Sequence, residues 1–403
     1  MVDYDFLSVY FYSVPNLRFS FEEDWCTSTI GENFRLSSGL TPSTKEKAYF
    51  NNGIIPWINS GELKNKYISF TENKLTLDAV KKHNLTIYPM DTMVIAIYGL
   101  EAAGVRGKAS ITKMDSTISQ SCMAFNSLGN VLTQFMYYVY KKEAQILGTR
   151  YAQGTKQQNL SSDLLSSYKL LYPSKEEQLK IVNFLSLIDE KIETQSKIIN
   201  DYKMLKKSIV ERIISTTDIS WNRYSFKDIF RERKEFHVKD GTIIHATLSK
   251  EGIYPKTDRY DRDFLVKDED KKYKVSYLND ICYNPANLKF GVITRNDYGK
   301  CIVSPIYVTY MVNPGFNPKF IELFVTRTAF LKEIRRYEQG TVYERMAVSS
   351  DDFLTFETKL PNVEVQNDIV DNIDMLDKKI TQEQEYLELL DKQKDYLLSN
   401  MFI

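Results

Sequence analysis

Two segments, 173–216 and 361–403, carry apolar residues at a spacing that places them on one side of a helix. In the second segment the apolar positions advance in steps of four and three, and subtracting 188 from each gives the series of the first. Each helix of about 40 residues would be about 60 Å long, too long to leave such a stripe in water. We predict that the helices pair through these residues: Ile181, Leu185, Ile188, Ile192, Ile199, Ile209, Ile369, Ile373, Leu376, Ile380, Leu387, Leu390 and Leu397.

The polar residues that interrupt the two stripes also coincide. Gln195 corresponds to Glu383 at the offset of 188, and Lys206 corresponds to Lys394. The first helix must deliver the chain to a second globular segment at its far end, so we predict antiparallel pairing about a pseudo-twofold axis. The alternative is two separate amphipathic helices, each lying on its own domain.

The globular segments between the helices repeat only at their edges. The residues that recur at an offset of 196 are Trp25, Phe34 and Arg35 as Trp221, Phe230 and Arg231. Near the end of each segment, RYAQGT (150–155) recurs as RYEQGT (336–341), followed in both by Ser-Ser-Asp and a proline. Chance is the alternative explanation, and the order of the matches disfavours it.

The interiors of the two segments differ almost completely. Short β-rich runs such as 93–98 and 301–303 alternate with turns rich in Gly, Pro and Asn, and helices are expected at 131–145 and 318–335. The predicted fold is mixed α/β. Two globular domains, 1–172 and 217–360, alternate with two long antiparallel coiled-coil helices, and this arrangement suits reading two different things at a fixed separation.

Composition excludes several classes of protein. The chain has 403 residues and 43% hydrophobic content, which is too apolar for disorder, yet no run approaches the eighteen or so apolar residues of a membrane span. Asp3 and Asp5 stand where a signal peptide would carry positive charge, which favours a cytoplasmic location. The four cysteines are far apart without a CxxC pair, and only three histidines are present. Neither a disulfide framework nor a metal site is therefore predicted.

Charge alone indicates nucleic acid only weakly. The net charge is zero, but the acidic excess lies in the last helix, so the globular segments are mildly basic.

No catalytic residue is predicted. Asn284-Pro285-Ala286-Asn287 lacks the second proline and the aromatic residue with which amino-methyltransferases hold an extruded base, so a turn between strands explains it better. The segment 148–156, GTRYAQGTK, has one residue too many for a phosphate-binding P-loop and carries Thr before Lys.

Several ordered strings resemble the specificity subunits of type I restriction-modification enzymes, over essentially the whole chain. VPNLRFSFEEDW (14–25), SSGLTPST (37–44) and IPWINSGEL (55–63) resemble the opening of that family's first target-recognition domain. YPSKEEQLKIVNFLSLIDEKI (172–192) resembles its central spacer helix, and LPNVEVQNDIVDNIDMLDKKI (360–380) its distal one. The string SSGLTPST (37–44) has one glycine fewer than the SGGTPS pattern that is commoner in that family.

The resemblance implies a non-catalytic subunit that binds double-stranded DNA. Each globular domain would read one half of a split target, and the helices would dock two modification subunits that bring S-adenosylmethionine and methyl transfer. A restriction subunit would bring ATP and Mg for translocation and cleavage, so no cofactor is expected on this chain. A stand-alone DNA-binding regulator of this shape and a scaffold that binds only protein are the alternatives.

Candidate DNA contacts lie in the repeated turn and in two basic loops, because Arg, Lys, hydroxyl and amide groups bind phosphates and base edges. They are Arg150, Thr155, Lys156 and Gln157 in the first turn, Arg336, Thr341, Tyr343 and Arg345 in the second, and Arg106, Lys108 and Lys289 in the loops. A purely structural role for the turn is an equal alternative, in which its glycine ends a helix. Solvated turns are the alternative for the loops.

Overall fold

The computed structural model describes residues 14–152, 154, 158–215, 221–250, 252–256, 272–339 and 346–403. The chain divides into two compact units, Met1–Gln195 with Tyr386–Ile403, and Ser196–Glu385. Each unit therefore contains one globular domain and parts of both long helices.

In its described part, the first domain combines short strands with helices of four to fourteen residues. Its elements are β1 (Cys26–Thr29), α1 (Ile30–Asn33), β2 (Phe34–Ser38), β3 (Ile55–Ile58), β4 (Tyr67–Ile68), β5 (Lys74–Leu75), α2 (Leu77–Lys82), β6 (Met93–Ala96), β7 (Ala109–Thr112), β8 (Thr117–Ile118), β9 (Cys122–Ser127), α3 (Thr133–Ile146), α4 (Ser162–Ser167) and β10 (Lys169–Tyr172). The central sheet has the order β2-β9-β6-β7-β4, and a smaller sheet has the order β5-β3-β8. Buried side chains on β6 and β9 pack against α3, which covers the central sheet.

The long helix α5 (Lys175–Ser215) leads to a second domain with a different sheet arrangement. Its elements are β11 (Asn222–Ser225), α6 (Phe226–Ile229), β12 (Phe230–Glu232), β13 (Phe236–Val238), β14 (Ala246–Leu248), β15 (Ile253–Pro255), β16 (Lys272–Ser276), β17 (Ile281–Tyr283), β18 (Ile293–Arg295), β19 (Cys301–Val303), β20 (Val308–Val312), α7 (Pro318–Val325), α8 (Thr328–Ile334), α9 (Ser350–Leu354) and β21 (Glu357–Leu360), followed by α10 (Val363–Met401). Its main sheet has the order β12-β20-β17-β18, beside sheets β13-β16-β19 and β14-β15.

The two domains begin and end in the same way. In each, the incoming strand pairs antiparallel with the outgoing strand, β1 with β10 and β11 with β21, over four residues. Each incoming strand runs into a four-residue helix that starts with a reciprocal capping box, Thr29 with Glu32 and Ser225 with Asp228. The repeated tryptophans, Trp25 and Trp221, pack against the core of their own unit. The sequence repeat therefore marks a shared frame.

The long helices complete both cores. In the first unit the start of α5 packs with the end of α10, and Leu397 and Phe402 join the core that includes Ile181 and Leu185. In the second unit the end of α5 packs with the start of α10, where Val210 and Ile373 share a core. The helices therefore run antiparallel, and each end also packs on a globular domain. The predicted mixed α/β fold with two domains and two long helices is confirmed.

Most of the residues predicted to line the helix pair are buried. The buried set is Ile181, Leu185, Ile188, Ile199, Ile369, Ile373, Ile380, Leu390 and Leu397. The remaining predicted residues, Ile192, Ile209, Leu376 and Leu387, are half-buried.

One predicted helix, 318–335, is wrong in detail, because the structure has two helices there. The first, α7, ends when Thr326 folds its hydroxyl back onto the carbonyl oxygen of Glu322 at 2.7 Å. Arg327 then adopts an extended backbone conformation, ψ 145°, before α8 begins. Side-chain hydrogen bonding by a mid-helix threonine competes with the helical ladder, and apolar periodicity does not report it.

Candidate nucleic-acid interface

The Arg-Tyr pair that opens the repeated RYxQGT motif follows α3 in the first half and α8 in the second, and its two side chains differ in their surroundings. Arg150 lies in the wide helical turn Leu147–Tyr151 after α3, and Arg336 lies in the 3-10 turn Arg335–Tyr337 after α8. Both arginines are exposed. The geometry leaves both guanidinium groups accessible to an anionic ligand.

The tyrosine of the same motif is structural. Tyr151 packs edge-on against Tyr168 with ring centroids 5.4 Å apart, and Tyr337 packs against Phe356 at 5.9 Å. Tyr168 and Phe356 stand at the offset of 188 and directly precede the outgoing strands β10 and β21. The tyrosine of the motif therefore packs the turn that carries its arginine against the residue before the outgoing strand.

Six of the predicted contacts, Thr155, Lys156, Gln157, Thr341, Tyr343 and Arg345, lie outside the described residues. The chain on either side of them is held by backbone pairing. Gln339 and Ala347 exchange two backbone hydrogen bonds of 2.9 and 3.0 Å. Asn159 pairs with Tyr98 as an isolated bridge. The domain thus holds the chain on both sides of the second segment and the chain that follows the first.

Arg106 has a local structural role. Its guanidinium donates to the carbonyl oxygens of Leu100 at 2.8 Å and Glu101 at 3.2 Å. Its side chain also lies against Gly148, where an added Cβ would come within 2.8 Å. Lys141 on α3 donates to the carbonyl oxygen of Gly107 at 2.7 Å. The loop is therefore tied to the helix and uses the Arg106 guanidinium itself, while the second candidate in this loop, Lys108, is half-buried.

Lys289 stands in a 3-10 turn that ends at Gly291, whose φ of +83° favours glycine. Its ammonium group lies 5.5 Å from the ring centroid of exposed Phe290. A cation beside an exposed aromatic ring suits contact with a nucleic-acid strand. The preceding segment at Asn284 is a turn, because the side-chain oxygen of Asn284 accepts from the backbone of Ala286.

Two buried glutamines, which the sequence did not lead us to predict, attach the domains to the long helices. The Gln178 side-chain oxygen accepts from the backbone N–H of Leu132 at 2.8 Å, and its amide donates to Pro173. Gln366 repeats this with Asn317 at 2.9 Å and with Pro361. In both units a residue on the long helix thus satisfies a free N–H at the start of the domain helix, α3 or α7. Their shared offset of 188 was the available signal.

Two features of the described residues bear on metal binding and thiol reactivity. No group of three or more His, Cys, Asp or Glu residues that could hold a metal occurs among them. Burial raises the pKa of Cys122 to about 11 and that of Cys282 to about 12. Such thiols are poor nucleophiles at neutral pH. Within the same part of the chain, no helix is long and apolar enough to cross a lipid bilayer.

Comparison with known proteins finds similarity to type I restriction-modification specificity subunits. A family model described as the type I restriction modification DNA specificity domain matches residues 22–203. A type I restriction enzyme specificity subunit of Methanocaldococcus jannaschii is 32% identical over 182 residues, 43% of this chain and 40% of that protein. One from Escherichia coli is 27% identical over 169 residues, 42% of this chain and 41% of that protein. The matched segment thus spans about two fifths of each of these relatives.

Longer matches cover nearly the whole chain at lower identity. A putative type I specificity subunit of Mycoplasma genitalium is 22% identical over 415 residues, 96% of either protein. The crystal structure of a type I restriction-modification S subunit from M. genitalium has a TM-score of 0.50 at 15% identity, covering 97% of this chain and 99% of that one. A chain from a study of complex assembly and conformational transition of the type I restriction-modification system has a TM-score of 0.59 at 10% identity, covering 95% and 99%. These structures share the fold.

Proposed function

Because this chain is similar to type I restriction-modification specificity subunits, we propose that it belongs to that family and supplies the DNA sequence recognition of such an enzyme. Each globular domain reads one half of a bipartite double-stranded target. Arg150 and Arg336 bind phosphates beside the bases that are read, and the long helices dock two modification subunits.

One observation carries the proposal: the two domains are attached to the long helices in the same way, but the sheets inside them differ. The strand pairs, capping boxes and buried glutamines recur in both halves, whereas among the described residues the central sheet has five strands in the first domain and four in the second. The repeated frame attaches each domain to the long helices in the same way, and the unlike interiors give the two domains different surface side chains. This combination suits a split target whose halves differ in sequence.

The chain itself is proposed to be non-catalytic and to act in the cytoplasm. The modification subunits would bind S-adenosylmethionine, and the ATP and Mg of the full enzyme would be bound by the restriction subunit. The chain's own contribution is then to hold the bound DNA so that the partners' active sites reach their bases.

The proposal is tested by reconstituting the purified chain with type I modification subunits and mapping the methylated bases on plasmid DNA. We expect methylation in both halves of one split sequence when both components are present, and none with either alone. Methylation by the chain alone, or by the pair without sequence preference, contradicts the proposal. Binding of a split DNA site without binding the modification subunit indicates a regulator. Binding of that subunit without DNA indicates a scaffold.

A further inference from the structure

An aspartate at the same position of each long helix holds two lysines from two different sources. Asp189 on α5 and Asp377 on α10 stand 188 residues apart. One carboxylate oxygen of each binds a lysine of the other long helix, and the other oxygen lies by a lysine of the globular domain. Each Lys-Asp-Lys group, which we call a node, thus lies where a domain and both helices meet.

The helix arms of the two nodes are reciprocal. Lys394 on α10 binds Asp189 on α5 at 2.7 Å, and Lys206 on α5 binds Asp377 on α10 at 2.5 Å. Lys206 and Lys394 are themselves 188 residues apart. The same ion pair therefore occurs twice, once in each unit, with the roles of the helices exchanged.

The domain arm of the first node starts from the central sheet. Lys66 directly precedes the edge strand β4, and its backbone carbonyl accepts from Ile111 of β7 at 2.7 Å. Its ammonium group lies 3.4 Å from Asp189 and donates to the hydroxyls of Tyr138 and Ser186 at 2.7 and 2.8 Å. Tyr138, fully buried on α3, donates a 2.6 Å hydrogen bond to Asp189.

The domain arm of the second node comes from an unrelated part of the fold. Lys319 lies in the first turn of α7, binds Asp377 at 3.1 Å and also pairs with Asp374. Glu322 of the same helix accepts three hydrogen bonds of 3.1 Å from Thr294 and Arg295 of β18, which ties α7 to the main sheet.

The lysines of the two domain arms do not correspond to each other in the repeat. Leu132 and Asn317 are equivalent because each bonds the buried glutamine of its half, so Lys319 corresponds to Gln134, two residues after Leu132. Two domains with dissimilar interiors have each placed a lysine on the equivalent aspartate from non-equivalent positions. The contact was therefore not inherited with the repeat. A need for a domain lysine on this aspartate in both units explains it better.

Apolar packing alone does not fix how far one long helix is displaced along the other. Burial is non-directional, and a stripe with steps of four and three accepts a slip of one heptad. Such a slip moves one helix by about 10 Å, beyond the reach of an ion pair. The side chains of the first node are largely screened from water, with Lys66 only 11% and Asp189 17% exposed, and those of the second are partly screened, with Lys319 27% and Asp377 31% exposed. Separating either pair leaves unpaired charges that are partly desolvated. Polar groups in a helix interface are a known means of fixing register.

We propose that Asp189 and Asp377 are positioning residues, which fix in each unit the register of the helix pair through one lysine and the attachment of the domain through the other. The spacer accepted between two half-sites should then depend on both nodes, and this consequence rests on the proposed function.

The test separates the two arms of the first node in the full chain. Lys66→Met removes the domain arm, Lys394→Met removes the helix arm, and Asp189→Asn weakens both. The control is Asp201→Asn, the same change at an exposed position of α5. Spin labels on K45C and K191C report the domain-to-helix distance, and labels on K191C and K392C report the helix-to-helix distance, in a C26S background. All label sites are exposed, and the remaining cysteines are buried.

We expect Lys66→Met to broaden the domain-to-helix distance distribution alone and Lys394→Met to broaden the helix-to-helix distribution alone. The exchange Asp189→Lys with Lys394→Asp should restore the helix-to-helix distribution, because the ion pair is re-formed with its charges reversed. It should not restore the domain-to-helix distribution, because Lys66 then faces a lysine. Unchanged distributions in both methionine variants, with only a lower melting temperature, overturn the proposal, since a merely stabilising pair has that effect.

The distances are measured without DNA, so they remain informative if the chain binds none and the proposed function fails. With DNA, selection from duplexes of varied spacer should show the preference for one spacer reduced about fivefold in Asp189→Asn, the ratio that one partly buried ion pair can supply, with both half-sites unchanged. A retained preference in a variant with altered distances contradicts the link to spacer length.

Discussion

The two nodes perform the same attachment with different electrostatics. In the first, Lys66 has one carboxylate, Asp189, and donates to the hydroxyls of Tyr138 and Ser186. In the second, Lys319 has two carboxylates, because Asp374 stands at the position equivalent to Ser186. Burial therefore lowers the pKa of Lys66 despite Asp189, whereas the two aspartates outweigh burial and raise the pKa of Lys319.

This difference shows which parts of the repeat are constrained. Gln178, Asp189 and their equivalents on α10 recur at one offset, while the lysines that bind the aspartates come from a strand edge in one domain and a helix in the other. The long helices thus carry the same attachment residues in both halves. Each domain binds the aspartate through a lysine that its own fold places nearby. A reading surface could then change while its attachment is kept.

The largest effect is expected from breaking the shared frame in both halves at once. Inserting two residues after Gln195 rotates the remaining stripe of α5 by about 200° relative to the part before it. Residues such as Val210 and Ile214, which are buried in the second unit, would then face water. We expect loss of cooperative unfolding and of binding to modification subunits, measured by calorimetry and gel filtration.

The matched control is a seven-residue insertion at the same place, which keeps the stripe aligned and lengthens α5 by about 10 Å. This variant should fold and shift the preferred spacer to a greater length, with both half-sites kept. A folded, active two-residue variant would contradict the pairing of the helices through their stripes.

Much of this frame could be predicted from sequence, for a physical reason. The stripes and the tyrosine of the repeated motif recur because their side chains meet equivalent neighbours in both halves, so position alone reports those contacts. The lysines Lys66 and Lys319 could not be found this way, since each reaches its aspartate only after an unlike domain has folded. Arg106, a candidate by charge, instead binds carbonyl oxygens of its own loop. The charge of an arginine in the sequence does not reveal whether its guanidinium already donates to neighbouring carbonyl oxygens.

A second test compares the buried glutamines. Gln178→Leu and Gln366→Leu each leave a buried carbonyl oxygen and the N–H before the domain helix without a partner. The loss should be about 2–4 kcal/mol in either variant, at about 1–3 kcal/mol for each unsatisfied group. Urea unfolding measures this directly. A large loss in one variant and none in the other would show that the frames are not equivalent.

A third test uses Lys141, a largely buried lysine on the domain helix of the first unit. Burial, and then the charge of Lys394, lower its pKa to about 8. Because the unfolded chain binds this proton more tightly, Lys141 lowers stability at pH 7, and the penalty is relieved as pH rises through the folded pKa toward the unfolded one. Lys141→Met should therefore stabilise the first unit by about 2 kcal/mol at pH 7, which is the free energy of the lowered pKa less that of the lost hydrogen bond to Gly107.

The gain over wild type should shrink between pH 7 and about 9.5, because the wild-type lysine loses its proton in that range. Comparing the two proteins at each pH removes the contribution of other titrating groups. Urea denaturation followed across that range is the measurement. A gain that is constant with pH would mean that Lys141 does not titrate there.

The smallest expected effect concerns the exposed arginines. Arg150→Ala and Arg336→Ala should each weaken DNA binding on all sequences and reduce the slope of log K against log salt by about 0.9, the value for one phosphate contact. Arg106→Ala is the matched control, because its guanidinium is held by two carbonyl oxygens. It should lower thermal stability and leave the slope unchanged. An altered recognition sequence with an unchanged slope would assign the two exposed arginines to base reading.

The central claim, that two independent readers share one frame, is tested most directly by exchanging the interior of one domain. Residues 26–149 are replaced by the corresponding segment of a specificity subunit with a different target, while Gln178, Asp189 and the second half are kept. Methylation by the chimera with its modification subunits is then mapped across a genome. We expect a new sequence in one half-site, with the other half-site unchanged. A change in both half-sites would contradict the claim, because the two domains would then read the target jointly.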